Sequence, residues 1–388
     1  MKVIDSFCLP LSLFRYLQVD MNPILTGRVK EKRKHLFDPG ELQIQAGAFP
    51  SSQHNFVNRI QLPAELELPN LDELNATEIV SFLQTRIFPL LEECELTSKQ
   101  IKDKLPVFST ALLELPEGYA IYSMKMSHAV GDGVTFFQLL KELSMLMSNV
   151  EIYAPIEWNS PLKATHEFYP DSFTPRDVEV AYGFPFMLGL FKNFPYIQNR
   201  HQQIMLFSKQ KVTSLKRELR QSLNCTDLSS NDVITAAFCE ANRSSDIFVF
   251  TENARGIKEG IPRNSGGNLF WEIPVSRECC AKPDEYRRQQ QRILRDGHQF
   301  YKPNQLPFEP FVYGRVGRLT SLASITEKVV LENTKVVCTL PYLSFIKEIP
   351  LDVAVIFRFN NDYWGVLHNF ANMKIDENKR LGSTLKPE

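Results

Sequence analysis

Several features that mark other classes of protein are missing from this sequence of 388 residues. No stretch approaches the roughly 20 consecutive apolar residues that a membrane-spanning helix requires. Asp5, Pro10 and Arg15 interrupt the apolar segment near the start of the chain, which argues against a secretory signal peptide. We therefore expect a cytoplasmic protein without a membrane span.

The chain also lacks a strong net charge. Its 44 Lys and Arg residues balance 45 Asp and Glu residues, which gives a formal net charge of -1. Without an overall positive field, we expect no nucleic-acid partner and no binding to anionic membranes. The basic cluster at residues 28–34 contains no aromatic side chains for base stacking, so we interpret it as a solvated loop.

Cysteines at metal-binding or disulfide-framework spacings are absent as well. An odd number of them, without C-x-x-C or paired-histidine spacing, argues against a disulfide scaffold and a structural zinc. We predict no metal and no permanently bound cofactor. The seven cysteines are Cys8, Cys94, Cys225, Cys239, Cys279, Cys280 and Cys338.

The composition that is present belongs to an ordinary globular protein, with 43% hydrophobic and 23% charged residues. The length suggests two domains. Residues 150–200 are rich in proline and aromatics and show no sustained period, so we interpret them as a crossover. We predict a domain at 1–165, a crossover at 166–205 and a second domain at 206–388. The mixture of strand and helix patterns predicts a mixed α/β sandwich in each half.

One local pattern predicts a helix in the first half of the chain. Asn75 or Thr77 would cap it, and apolar residues recur at helical spacing from Ile79 to Ile87. Pro89 lies within the same pattern, and we expect it to end or kink the helix.

A segment around His128 carries the most informative pattern. Two strand-like runs, 107–115 and 119–126, flank the turn residues 116–118 and predict a hairpin. In the second run, Tyr122, Met124 and Met126 alternate with polar residues, which predicts one apolar and one polar face. His128 follows on the apolar parity. A glycine-rich turn at 131–133 and an amphipathic helix containing Phe136, Leu140, Leu143 and Met147 come next.

Two interpretations of His128 stay open at this point. The imidazole titrates near neutrality, so it can take up a proton and return it as a general base. A lone histidine on an apolar strand face is, however, more often a core residue, and the spacing H-x-x-x-D alone is a weak signal.

Three segments in order resemble the BAHD-like and chloramphenicol-acetyltransferase-like family of H-x-x-x-D acyltransferases. They are HAVGDG at 128–133, LSSNDVITAAFCEA at 228–241 and TENARGIKEGIPRNSGGNLFW at 251–271. The resemblance implies two chloramphenicol-acetyltransferase-like α/β sandwich domains with a channel between them, and a place in secondary metabolism. It further implies transfer of an acyl group from acyl-CoA, as co-substrate, to a hydroxyl or amine of a small molecule, by a protein that we expect to be a monomer.

The resemblance also assigns roles to individual residues. His128 would be the general base, and no acyl-enzyme would form. Asp132 would pair with Arg255 and orient the loop that carries the histidine, while Gly131 and Gly133 would permit its turn. Asn268, or a backbone N–H beside Gly267, is a candidate for steadying the oxyanion, although a turn residue explains Asn268 equally well.

A donor-binding side is implied in the second half of the chain. Phosphates of coenzyme A would need cations near its entrance, although a solvated helix face is the simpler explanation for each candidate. Ser229 or Ser230 would contact the pantetheine arm, cap a helix, or do both, with Asp232 in the first turn. The cationic candidates are Lys209, Lys211, Lys216 and Arg217.

Departures from the family pattern keep other functions open. The Asp-Phe-Gly-Trp-Gly motif is absent, with residues 340–345 at the equivalent place, and 362–365 is interpreted as a hairpin turn. Peptide-synthetase condensation domains carry a second histidine where this chain has Ser127. A carrier-protein-dependent condensation and a non-catalytic binding protein stay as alternatives.

Ser265 lacks the context of a hydrolase nucleophile, and no cysteine has a convincing setting for catalysis with His128 or His298.

Overall fold

The computed structural model places the chain in two compact units. Unit 1 comprises residues 1–168, 259–269 and 325–345, and unit 2 comprises 169–258, 270–324 and 346–388. The boundary predicted at residue 165 lies outside the described residues and stays a prediction. The structure describes residues 2–8, 26–30, 41–45, 57–59, 69–71, 73–92, 108–115, 119–126, 131–147, 156, 203–242, 245–257, 261–267, 269–296, 316–326, 335–342 and 352–370.

Unit 1 contains a five-stranded mixed sheet in the order β11-β1-β6-β5-β4. β1 pairs in parallel with both β11 and β6, and β5 pairs antiparallel with β6, which confirms the predicted hairpin. The strands of this sheet are β1 (Lys2–Cys8), β4 (Val57–Arg59), β5 (Phe108–Glu114), β6 (Tyr119–Met126) and β11 (Lys335–Tyr342).

A separate antiparallel pair is formed by β2 (Thr26–Lys30) and β3 (Glu41–Gln45). Residues 28–30 of the basic cluster therefore belong to a strand, and their interpretation as a loop was wrong. Cross-strand pairing with β3 supplies the backbone partners that a loop would have taken from water.

The polar face predicted on β6 does not face solvent. Ser123 and Lys125 are only 2% and 4% exposed. β6 lies in the middle of its sheet, between β1 and β5, and a central strand has both faces available for burial. The alternation in the sequence therefore did not mark a solvent-facing side.

The helix predicted after Asn75 forms, and the local sequence explains its start. α1 (Ala76–Phe82) begins with a capping box in which Asn75 and Glu78 each accept a hydrogen bond from the other's backbone N–H. A π-helical turn (Leu83–Ile87) and α2 (Phe88–Glu92) continue it, so Pro89 does not end the helix. Proline cannot donate to the carbonyl four residues earlier, and the wider π register directly before it is consistent with this loss.

α3 (Gly133–Met147) follows β6 in unit 1. Phe136 and Leu140 are fully buried, as their helical spacing predicts. The side chains of Leu143 and Met147 lie outside the described residues.

Unit 2 contains a six-stranded mixed sheet in the order β7-β13-β12-β10-β8-β9. Its centre is parallel, since β10 pairs in parallel with β12 and β8, and its outer pairs are antiparallel. β12 and β13 form the closing hairpin, but its turn precedes the predicted 362–365, because Tyr363 to Gly365 already belong to β13. The strands are β7 (Gln203–Ser208), β8 (Ile247–Asn253), β9 (Phe270–Ser276), β10 (Val316–Ser321), β12 (Asp352–Arg358) and β13 (Tyr363–His368).

Helices accompany this sheet, and one of them is almost entirely buried. α5 (Ser230–Ala241) buries Asp232 to Cys239 without interruption. The others are α4 (Lys209–Ser222), α6 (Arg277–Cys280) and α7 (Pro283–Asp296) in unit 2, and α8 (Ala323–Thr326), where the chain passes from one unit to the other. Among the described helices, none has the length and apolar character to cross a membrane.

Candidate functional site

The predicted base, His128, lies outside the described residues, as does Asn268. The described chain nevertheless fixes both ends of the short connection that contains His128. β6 ends at Met126 on one side, and Asp132 precedes the first residue of α3 on the other.

Asp132 is the best-fixed of the predicted site residues. Only 6% of it is exposed. Its Oδ1 accepts a hydrogen bond from the N–H of Thr135 at 3.0 Å, the usual contact of an N-cap residue. Its Oδ2 accepts from the N–H of Leu269 at 3.0 Å, and its own N–H donates to the carbonyl of Gly267 at 3.2 Å. The carboxylate thus caps α3 and binds a segment 137 residues away.

Thr135 was not among the predicted site residues, and it joins the same network. Its hydroxyl lies 3.1 Å from Asp132 Oδ1 and 2.9 Å from the carbonyl of Gly267, and it accepts from the N–H of Gly267 at 3.1 Å. The side chain is fully buried. An Asp followed three residues later by Thr at a helix start could have drawn attention to it, but its distant partner could not be read from that spacing.

Gly131 and Gly267 are required here for different reasons. A Cβ at position 131 would lie 2.8 Å from Cγ2 of Thr135, a distance that real Cβ contacts essentially never show. Gly267 has a φ of 125°, a conformation that residues with a side chain rarely adopt. Gly133 is simply the first residue of α3, so the turn predicted at 131–133 is in fact a helix start.

The amides on either side of Asn268 bear on the predicted oxyanion site. The N–H of Gly267 donates to Thr135, and the N–H of Leu269 donates to Asp132. Both already serve the buried network and are poor candidates for steadying an oxyanion. Asn268 itself stays a prediction.

Arg255 lies two residues after the end of β8, in a turn over residues 255–257. It is 4% exposed, and its Nη1 donates to the side-chain oxygen of Asn253 at 3.0 Å. Arg255 belongs to unit 2, and its pairing with Asp132 stays a prediction.

Of the predicted donor-binding residues, Lys216 and Ser230 contact each other and several others are exposed. Lys216 Nζ donates to Ser230 Oγ at 3.1 Å. Desolvation by partial burial, together with the nearby Arg220 guanidinium, lowers the pKa of Lys216. Arg220 itself binds the carbonyl of Leu228, directly before the cap of α5. The remaining candidates, Lys209, Lys211 and Arg217, are exposed on α4.

Ser229, rather than Ser230, is the cap of α5. Its hydroxyl accepts from the N–H of Asp232 at 3.1 Å, and its own N–H donates to Asp232 Oδ2 at 2.7 Å. This reciprocal pair confirms the predicted cap and the position of Asp232 in the first turn.

Glu252, an acidic residue near Asp232, was not among the predicted site residues. Burial raises the pKa of Asp232, and burial raises that of Glu252 on β8 to about 7. Glu252 accepts a hydrogen bond from Gln290 Nε2 at 3.1 Å, and Arg287 Nε lies 3.8 Å from Asp232 Oδ2. Within the described residues, no group of three or more His, Cys, Asp or Glu side chains is arranged to hold a metal ion.

Comparison with known proteins adds information at the level of the fold. No model of a protein family and no curated protein matches the sequence. TRI101 of F. graminearum, solved with coenzyme A and T-2 mycotoxin, is similar over 93% of this chain and 87% of that chain, with a TM-score of 0.56 and 13% identity. TRI101 of F. sporotrichioides, complexed with coenzyme A and T-2, matches over the same shares with a TM-score of 0.55 and 12% identity.

A condensation domain shares the same architecture. The first condensation domain of the CDA synthetase matches over 93% of this chain and 83% of that domain, with a TM-score of 0.50 and 11% identity. Identities this low establish the fold and no more. The structural matches confirm the predicted two-domain, chloramphenicol-acetyltransferase-like α/β fold.

Proposed function

We propose that this chain is an acyltransferase that moves an acyl group from acyl-CoA to a hydroxyl or amine of a small molecule. His128 is the general base, and no covalent acyl-enzyme forms. The proposal rests on the fold together with the carboxylate of Asp132, which is buried and hydrogen-bonded at the end of the H-x-x-x-D segment. In this arrangement Asp132 holds the loop of the base, and the base itself is left for chemistry.

Coenzyme A is the favoured donor because structures of the same fold contain it. TRI101 is solved with coenzyme A beside a small molecule, T-2. By analogy, this chain would take a thioester and a small acceptor, although low identity carries neither substrate over by itself.

In the proposed reaction, His128 removes the proton from the acceptor O–H or N–H as the acceptor attacks the thioester carbonyl. The C–S bond then breaks, and the imidazolium returns its proton to the departing thiolate. The products are an ester or amide and free coenzyme A. General-base assistance of this kind contributes about 10²–10⁴-fold. Holding donor and acceptor together supplies much of the remainder.

Asp132 takes no part in proton transfer in this scheme. Its two carboxylate oxygens accept from the N–H groups of Thr135 and Leu269, so both are engaged in structural contacts. We assign Asp132, supported by Arg255, to orienting the loop.

The proposed donor site lies at the start of α5. A helix N-terminus attracts anions because its first N–H groups are unsatisfied and its dipole is positive there. Lys216 and Arg220 add positive charge at Ser230 and Leu228. We propose that this region binds a phosphate or the pantetheine arm of coenzyme A, with Lys209, Lys211 and Arg217 as more exposed contributors.

A carrier-protein donor is the second candidate, and the similarity to a condensation domain favours it. In that case a phosphopantetheine arm attached to a protein would replace coenzyme A, while the roles of His128 and Asp132 would be unchanged. Competition between acetyl-CoA and an acetylated holo-carrier for the same acceptor distinguishes the two donors.

The decisive experiment compares His128→Ala with wild type and with a His298→Ala control. Each protein is incubated with acetyl-CoA and a panel of small alcohols and amines, and the loss of thioester is followed. We expect His128→Ala to lower kcat by about 10²–10⁴-fold and His298→Ala to leave it unchanged. An active wild type with an equally active His128→Ala variant would rule out this base. Binding of coenzyme A without turnover of any acceptor would support a non-catalytic binding protein.

A further inference from the structure

We propose that Thr135 is a positioning residue for His128, and that its hydroxyl fixes the loop on which the proposed base lies. This inference rests on the proposed function. Thr135 lies in the first turn of α3, and its side chain is fully buried. The pattern H-x-x-x-D gives it no role.

The hydroxyl of Thr135 completes a reciprocal contact with one residue of a distant segment. It accepts from the N–H of Gly267 at 3.1 Å and lies 2.9 Å from the carbonyl of the same residue. These two residues are 132 positions apart. A side-chain hydroxyl thus pairs with both backbone groups of Gly267, as the neighbouring strand of a sheet would. Among side chains of this size, only serine and, more weakly, cysteine also donate and accept at one atom.

The same hydroxyl also contacts the residue that ends the His128 connection. Thr135 Oγ1 lies 3.1 Å from Asp132 Oδ1. A hydroxyl carries one proton, so it can serve Asp132 or the carbonyl of Gly267 fully, or share the proton between them. In each case Asp132 and Gly267 are held to one common atom.

The methyl group of Thr135 contributes a separate contact. A Cβ at position 131 would lie 2.8 Å from Thr135 Cγ2, so the backbone of Gly131 passes close against this methyl group. The hydroxyl and the methyl therefore contact different parts of the chain. Because the side chain is branched at Cβ, both groups move together with a single torsion.

Taken together, Thr135 constrains the two residues nearest to the C-terminal end of the His128 connection. Gly131 is limited by contact with the methyl group and Asp132 by the hydroxyl, while Gly267 anchors that hydroxyl. A base that must stand within hydrogen-bond reach of its substrate is sensitive to shifts of its loop. Displacement of about 1 Å can cost on the order of 10²-fold in rate.

The test uses two pairs of variants that isolate the hydroxyl. Thr135→Val keeps the branched shape and removes the hydroxyl. Thr135→Ser and Thr135→Ala both lose the methyl group and differ from each other only in the hydroxyl. The second pair keeps the test decisive should Thr135→Val fail to fold.

Two measurements are made on each variant. Steady-state kinetics with acetyl-CoA and an acceptor found in the His128 experiment separate kcat from KM. NMR of histidine-labelled protein follows the imidazole resonances, with His128 assigned from the signal that His128→Ala lacks. The NMR measurement needs no turnover, so it also applies if the proposed acyl transfer is wrong.

We expect Thr135→Val and Thr135→Ala to lower kcat about 10–100-fold, with the KM for acetyl-CoA within about threefold of wild type. The His128 resonance should shift or broaden in both. Thr135→Ser should keep most of the kcat and a wild-type His128 resonance. If Thr135→Ala matches Thr135→Ser in both measurements, or if the His128 resonance is unchanged in every variant, the hydroxyl does not position the base. If His128→Ala is fully active while the resonance still responds to Thr135, the proposed function fails and the positioning role stands.

Discussion

Asp132 lies directly before the first turn of α3 and Asp232 lies within the first turn of α5, and the two aspartates are used differently. Asp132 caps α3, and its second carboxylate oxygen binds Leu269, far away in the sequence. Ser229 caps α5, and the hydrogen bonds of Asp232 in the first turn reach only as far as Ser229. The hydrogen bonds of Asp132 connect distant segments of the chain, whereas those of Asp232 are local and its long-range contact is the ion pair with Arg287 at 3.8 Å.

The environment of each carboxylate follows from this difference. The oxygens of Asp132 both accept hydrogen bonds from buried partners. Asp232 is equally buried, yet its Oδ1 has no hydrogen-bond partner among the described residues, and burial raises its pKa. Both carboxylate oxygens of Asp132 are therefore used in hydrogen bonds, while one carboxylate oxygen of Asp232 has no such partner among the described residues. The hydrogen bonds of Asp132 are suited to holding a loop in place. Oδ1 of Asp232 can still accept a hydrogen bond.

The sharpest test of this contrast is Asp132→Ala, for which we expect the largest effect. The substitution leaves the buried N–H groups of Thr135 and Leu269 without their acceptor, and each unsatisfied group costs about 1–3 kcal/mol. The free energy of unfolding should fall by about 2–5 kcal/mol, measured by urea denaturation. Asp284→Ala removes a carboxylate bound to the exposed Arg288 and should cost no more than about 1 kcal/mol. Equal losses in the two variants would contradict the structural role of Asp132.

The same contrast shows which parts of the molecule the sequence could predict. The cap of α5 and the hairpins β5–β6 and β12–β13 depend on neighbours within a few residues, and all three are confirmed. The burial of Lys125 and the contact between Thr135 and Gly267 depend on strands and segments brought from elsewhere in the chain. Spacing within a motif carries no information about such partners. The sequence therefore indicated Asp132 but not the residues that hold it.

For Glu252 we expect an effect of intermediate size on the free energy of unfolding, and this effect depends on pH. Its pKa is raised to about 7, above its ordinary 4.5, chiefly by burial, and the negative charge of Asp232 adds to the shift. A raised folded-state pKa means that its contribution to stability is fully present below pH 4.5 and is lost as the pH rises towards 7. Wild type should therefore lose part of its stability between pH 5 and pH 8 because a charge must be buried.

The neutral variant Glu252→Gln should escape this loss. Its side-chain oxygen can still accept from Gln290, so the hydrogen bond at 3.1 Å need not be given up. We expect the variant to gain about 1–3 kcal/mol relative to wild type at pH 8 and little at pH 5, measured by urea denaturation at both values. Glu218→Gln, which makes the same substitution on the exposed surface of α4, is the matched control. A gain of the same size at both pH values would show that ionisation of Glu252 is not its cause.

The smallest expected effect is on the binding of coenzyme A at the start of α5, the helix compared above with α3. If this region takes an anionic part of coenzyme A, removal of the charge at Lys216 should weaken binding while leaving the cap formed by Ser229 intact. We expect Lys216→Met to raise the Kd for coenzyme A about 2–5-fold by calorimetry at low salt, since partly exposed ion pairs contribute up to about 1 kcal/mol. Lys282→Met, which removes an equal charge paired with Glu285, should leave the Kd unchanged. If coenzyme A binding weakens equally in both variants, overall charge and not a local site is the cause. The start of α5 would then be no more open to ligands than that of α3.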